Sequence, residues 1–106
     1  MKRIRDAADG DVEFLRELIT VYLDDASEKL RDLGQAIELA DTQRLGRTAH
    51  QLKGSSANVG AIGVSKIAKE LETLGRANDV GGAKEVFRGL LAEFALVRSE
   101  LRELTA

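Results

Sequence analysis

Apolar residues along this chain recur in steps of three and four, and no strand-like alternation survives beside them. Leu15, Leu18, Ile19, Tyr22, Leu23, Ala26, Leu30, Leu33, Ile37 and Ala40 hold one phase between Asp11 and Ala40, which predicts a single long first helix. One long helix is favoured, although Asp25-x-x-Glu28 has the spacing to cap a second segment and Gly34 weakens the helix end. Asp41-Thr42 supplies an N-cap for a second helix with Leu45, Ala49, Leu52, Ser56 and Val59 inward, and Gly60 can terminate it. A third stripe, Ile62, Val64, Ile67, Ala68, Leu71 and Leu74, stops near Asn78 and the Gly81-Gly82 pair. The fourth helix uses Ala83, Phe87, Leu90, Leu91, Phe94, Val97, Leu101 and Leu104. The connections after residues 40, 60 and 77 are short, and short connections make helical neighbours antiparallel. The expected fold is all-α, an up-down-up-down antiparallel four-helix bundle forming one domain over residues 1–106, with no internal repeat.

Composition narrows the functional classes. With 16 basic against 18 acidic residues the net charge is −2, and no Lys/Arg-rich run offers a footprint for nucleic acid. No apolar run approaches the roughly 20 residues that span a bilayer, and MKRIRDAADGD lacks the apolar stretch of a signal peptide, so a cytoplasmic chain without membrane insertion is expected. Cysteine is absent, which removes disulfides, thiolate metal sites and cysteine nucleophiles together. There is one histidine, His50, so an imidazole-based metal site would need carboxylates for its other ligands.

The inward set on the second helix turns His50 outward. A lone outward histidine is most often a solvated residue, but this one has Gly46 one turn before it and Gly54 one turn after it. A glycine inside a helix costs about 1 kcal/mol relative to alanine, so two of them beside the imidazole call for a packing or a steric reason. Bare backbone leaves room for a phosphoryl group and a partner surface; close helix packing at Gly54 is the alternative. Lys53 puts an ammonium within reach of anything attached to the ring, or is simply solvated.

The run AHQLKGSSANVG, continued by AIGVSKIAKELETL, resembles the histidine-containing phosphotransfer (HPt) family. A small residue, Ala49, precedes the histidine; Lys53 follows at +3, Gly54 at +4 and Gly60 at +10. The segment EFLRELITVYLDDASEKLRDLGQAIELAD is similar to the first helix of such domains, and Leu71-Glu72 to their third-helix signature, while the fourth helix is only generically amphipathic.

The resemblance implies that His50 accepts a phosphoryl group on Nε2 and passes it reversibly to and from aspartates of response-regulator receiver domains. A neutral imidazole is a competent nucleophile without a separate base. Phosphoryl transfer asks the protein mainly for positioning and charge stabilisation, so Lys53 is expected to face the phosphoryl oxygens. Glu72, 22 residues after the histidine, is expected to accept from Nδ1–H and fix the tautomer, or else to be a surface carboxylate paired with Lys69, which precedes it on the same face. Arg47, Gln51, Gly54, Ala57, Asn58 and Lys69 are the candidate partner contacts. The expected partners are a receiver domain and a histidine or hybrid kinase. No cofactor or metal is expected on this chain, with Mg²⁺ on the receiver, and the chain is expected to be monomeric.

Three rival classes are weighed against this. One is an adaptor bundle that binds receivers without being phosphorylated, against which His50, Lys53 and Gly54 stand intact. Another is the phosphoacceptor piece of a larger hybrid or chemotaxis-type histidine kinase. The chain has no Gly-rich phosphate loop, so it is read as having no kinase activity of its own. The third is a helical enzyme, for which the scattered carboxylates offer no active-site cluster.

Overall fold

The computed structural model describes residues 12–104. Four helices occupy them: α1 (Val12–Glu38), α2 (Thr42–Asn58), α3 (Ile62–Arg76) and α4 (Val80–Glu103). The first helix runs unbroken through Asp24-Asp25, because the apolar phase never shifts there and Lys29 pairs with Asp25 along the helix at 2.8 Å. Its expected start at Asp11 lies outside the described residues. Gly34 lies within the helix, four residues before Glu38, and does not end it; a Cβ there would lie 3.4 Å from the Phe87 ring.

One device closes α1, α2 and α3. Asp41 N donates to Ala36 O, Ala61 N to Ser56 O and Asp79 N to Leu74 O, each reaching back five residues. The residue before each donor is left-handed: Ala40 (φ 54°), Gly60 (φ 80°) and Asn78 (φ 57°). These are Schellman closures, and they let the chain reverse within a few residues. The carboxylates of Asp41 and Asp79 then cap α2 and α4, accepting from Arg44 N at 3.1 Å and Gly82 N at 2.9 Å. The Gly81-Gly82 pair therefore lies inside the first turn of α4 and not in a loop, correcting the expected boundary.

Contacts between successive helices run in opposite order along the chain. Tyr22 meets Ser56 and Asp32 pairs with Arg44 across α1 and α2; Lys53 meets Ser65 and Gly46 meets Gly75 across α2 and α3. Leucines 33, 45, 52, 71, 90 and 101 are fully enclosed and come from all four helices, so one core serves the described bundle. Leu91 and Ile62, expected in stripes, stay largely exposed. The inner polar link is Tyr22 Oη to Ser56 Oγ at 2.8 Å; burial pushes the phenol pKa up, with the serine hydrogen bond opposing. Among the described residues every buried side-chain polar atom has a partner.

Candidate functional site

The site begins with a seam of small residues. Gly46, Ala49 and Lys53 form one stripe of α2, and Ser65, Ala68, Glu72 and Gly75 form the facing stripe of α3. A Cβ on Gly75 would stand 2.8 Å from Gly46 N and 3.0 Å from both Gly46 Cα and Thr42 O, so the helices meet there backbone to backbone. It is Gly75 whose bare backbone permits this approach; a Cβ on Gly46 would come no closer than 4.0 Å to Glu72 O, so Gly46 keeps room beside the imidazole. Gly54 differs: it is exposed and a Cβ there would meet nothing within 4 Å.

This close approach lets a side chain of α3 reach across α2. Glu72 is buried, its side chain only 6% exposed, and its two oxygens take three donors. Oε2 lies 2.8 Å from His50 Nδ1 and 2.8 Å from Arg76 Nη2, and Oε1 lies 2.8 Å from Lys53 Nζ. The Lys53 hydrogen bond holds the Glu72 carboxyl below the usual carboxylate range; burial opposes it, and His50 and Arg76 add to the lowering. An ionised carboxylate only accepts, so a neutral His50 in this contact carries its proton on Nδ1 and turns the Nε2 lone pair outward. The imidazole side chain is 63% exposed. It borders an open groove of about 490 Å³ floored by Gly46 and Gly75 and edged by Arg47, Gln51 and Arg76.

Of the residues expected in the site, His50, Lys53 and Glu72 are brought together on the one carboxylate, and Arg47 and Gln51 stand exposed beside them. Lys53 Nζ points to Glu72, where a ligand-facing ammonium was expected. Ala57 is half-buried and Asn58 exposed at the last turn of α2, beyond Gly54. Lys69 does not join the site. It lines a separate depression with Lys66, Thr73, Gly82 and Val86, because Glu72 is turned into the α2–α3 seam and a lysine on the outer side of α3 has no access to it. Arg76 was missed, although its i,i+4 spacing from Glu72 was a usable signal. Among the described residues no three His, Asp or Glu side chains gather as a metal site needs, and no described helix is long and apolar enough to cross a membrane.

A four-helix protein that presents one exposed imidazole, backed through Nδ1 by a sheltered carboxylate, has the form of a phosphohistidine carrier. The family model described as Hpt domain matches residues 17–105, and the chain belongs to that family, the histidine phosphotransfer modules of phosphorelays. The crystal structure of histidine-containing phosphotransfer protein B from Pseudomonas aeruginosa superposes with a TM-score of 0.89 at 30% identity, over 99% of this chain and 92% of that one. Histidine-containing phosphotransfer protein 4 of Arabidopsis thaliana is 30% identical over 95 residues, 88% of this chain and 75% of that protein. Multistep phosphorelay regulator 1 of Schizosaccharomyces pombe is 28% identical over 78 residues, 74% of this chain and 26% of that protein.

Proposed function

We propose that the chain carries the phosphoryl group on Nε2 of His50 and exchanges it with receiver-domain aspartates. The observation that carries this reading is the 2.8 Å contact between Nδ1 and the buried Glu72, which leaves Nε2 as the free nucleophile on an exposed ring. The Nε2 lone pair attacks phosphorus of an aspartyl phosphate; the N–P bond forms as the P–O bond to the aspartate breaks, and the carboxylate leaves. The positive charge gained by the ring is shared through Nδ1–H with Glu72. In the reverse direction the aspartate oxygen attacks and neutral imidazole departs.

Lys53 has three N–H donors, so it can keep one on Glu72 and turn another to the phosphoryl oxygens as charge spreads over them. Gly54 leaves open space on the next turn for the incoming domain, and Arg47 and Gln51 are offered as contacts to it. The receiver would bring Mg²⁺, and this chain would bind none. The reading extends to a monomeric, cytoplasmic carrier module without kinase activity, built as the up-down-up-down bundle that the opposed contact order supports.

The test is transfer from phosphorylated receiver domains to wild type and His50→Gln. Wild type should gain acid-labile phosphate; the variant should fold with an unchanged helical spectrum and gain none, because its amide is not a nucleophile. Undiminished labelling of the variant would overturn the assignment.

A further inference from the structure

We infer that Ser65 is a positioning residue for this site: its hydroxyl sets the register of α3 on α2 that brings the Glu72 carboxylate to Nδ1 of His50. The inference rests on reading His50 as the carrier, and it adds a residue outside the groove that borders the imidazole. Ser65 Oγ donates to the backbone carbonyl oxygen of Lys53 at 2.9 Å, across the seam. Lys53 is thereby tied to α3 at both ends, through its carbonyl to Ser65 and through its ammonium to Glu72 at 2.8 Å. Ser65 and Glu72 are seven residues apart, two turns on one face of α3, so the two ties are separated by about 10 Å along the helix.

Leu45 and Leu52 of α2 and Val64 and Leu71 of α3 anchor the two helices in the core beside this stripe, but the stripe itself adds little against sliding. Gly75 sets how close the helices come, against the Gly46 backbone, and neither glycine has a side chain to lodge between neighbours. Ala49 and Ala68 are fully buried but short. Larger side chains interlock as ridges in grooves; this stripe has none beyond Glu72 and Lys53, which are the groups to be positioned. A one-residue slide is about 1.5 Å, enough to carry a 2.8 Å contact to the edge of hydrogen-bond range or past it. Outside the ionic cluster, two directional contacts join these elements: Thr42 Oγ1 donates to Asn78 Oδ1 at 2.6 Å at the Gly75 end, and the Ser65 hydroxyl on the Lys53 carbonyl holds the opposite end, on the residue whose ammonium meets Glu72.

The experiment compares wild type, Ser65→Ala and Ser65→Thr, the last keeping the hydroxyl. Imidazole ¹⁵N shifts, read where the ring is neutral, give the fraction of His50 carrying its proton on Nδ1. Thermal melting gives stability, and transfer from a phosphorylated receiver gives the rate. Ser65→Ala should shift the ring toward the Nε2–H form and slow transfer by about tenfold, the scale expected for a small misplacement of a reacting group. Ser65→Thr should retain the wild-type tautomer fraction and a rate within about twofold. A Ser65→Ala protein that melts lower yet keeps the wild-type tautomer fraction and rate would overturn the inference, as would Thr and Ala variants that are equally displaced. If wild type accepts no phosphoryl group while Ser65→Ala still shifts the tautomer, positioning stands and the carrier reading falls.

Discussion

Glu72 Oε2 accepts from His50 Nδ1 and from Arg76 at equal distances of 2.8 Å, so one sheltered oxygen joins the imidazole to a guanidinium that is 75% exposed. The second oxygen is held by Lys53. The carboxylate thus stays ionised while buried, which an isolated carboxylate would not do. The imidazole is oriented by an anion whose own charge is balanced by two cations.

A pH dependence follows from that balance. The Glu72 carboxyl is held below the usual range in the folded chain, so unfolding raises its affinity for protons. Its stabilising contribution is complete above the ordinary carboxylate pKa and is lost as pH falls through the lower folded value. Glu72→Gln has no such proton to gain. Between about pH 7 and pH 3, melting temperature should therefore fall further for wild type than for Glu72→Gln. Parallel curves for the two proteins would show that the three donors contribute nothing differential to folding.

Lys53→Ala separates the two tasks of that lysine. Its ammonium is partly solvated, so its loss should lower stability by no more than about 1 kcal/mol, with Arg76 and His50 still on the carboxylate. Transfer should slow by about tenfold or more, because the charge matters most when the phosphoryl oxygens gain charge in the transition state. A rate equal to wild type in stopped-flow or phosphate-label assays would leave Lys53 with the Glu72 ion pair as its whole role.

The four helices and the chemistry of His50 are legible in the sequence because both are local. Stripe phase depends on near neighbours, and Ala49-His50-x-x-Lys53-Gly54 is contiguous. What the sequence hides depends on how helices rotate and approach. Gly46 and Gly54 read as clearance because both are one turn from His50, but only tertiary packing reveals Gly75, whose bare backbone lies against that of Gly46. Lys69 has the spacing of a partner for Glu72, yet spacing along α3 does not say that the carboxylate turns away into α2. Gly81-Gly82 reads as a breaker until the Asp79 carboxylate is seen to accept the Gly82 N–H. Ser65 carried no signal, because its acceptor is a backbone carbonyl 12 residues earlier.

Gly54→Ala should stabilise the bundle. A Cβ there points into open space, so the helix gains up to about 1 kcal/mol of propensity without a clash. A longer side chain at the same position should keep the fold while slowing transfer, since it occupies room one turn from His50 on an exposed surface. Melting temperatures of the Ala and Gln variants, with receiver-dependent transfer per folded molecule, check both halves. An unstable Gly54→Ala would contradict the open space that the structure gives this residue.

Gly75→Ala should go the other way, although the exchange is chemically the same. The added carbon would stand 2.8 Å from Gly46 N and 3.0 Å from Thr42 O, which are backbone atoms that cannot swing aside as the end of a flexible side chain can. The helices must separate, and overpacking of this kind costs about 1–3 kcal/mol, more than the propensity gained. Separation also draws Glu72, one turn earlier on the same face, away from His50. Gly75→Ala should therefore melt lower than wild type and reduce the Nδ1–H fraction of the imidazole together. The paired variant Gly54→Ala, in which the same methyl group meets no neighbour, controls for helix propensity. If both variants raised the melting temperature, the backbone contact between α2 and α3 at Gly46 would not be as close as the structure has it, and the route by which Glu72 reaches the histidine would need another explanation.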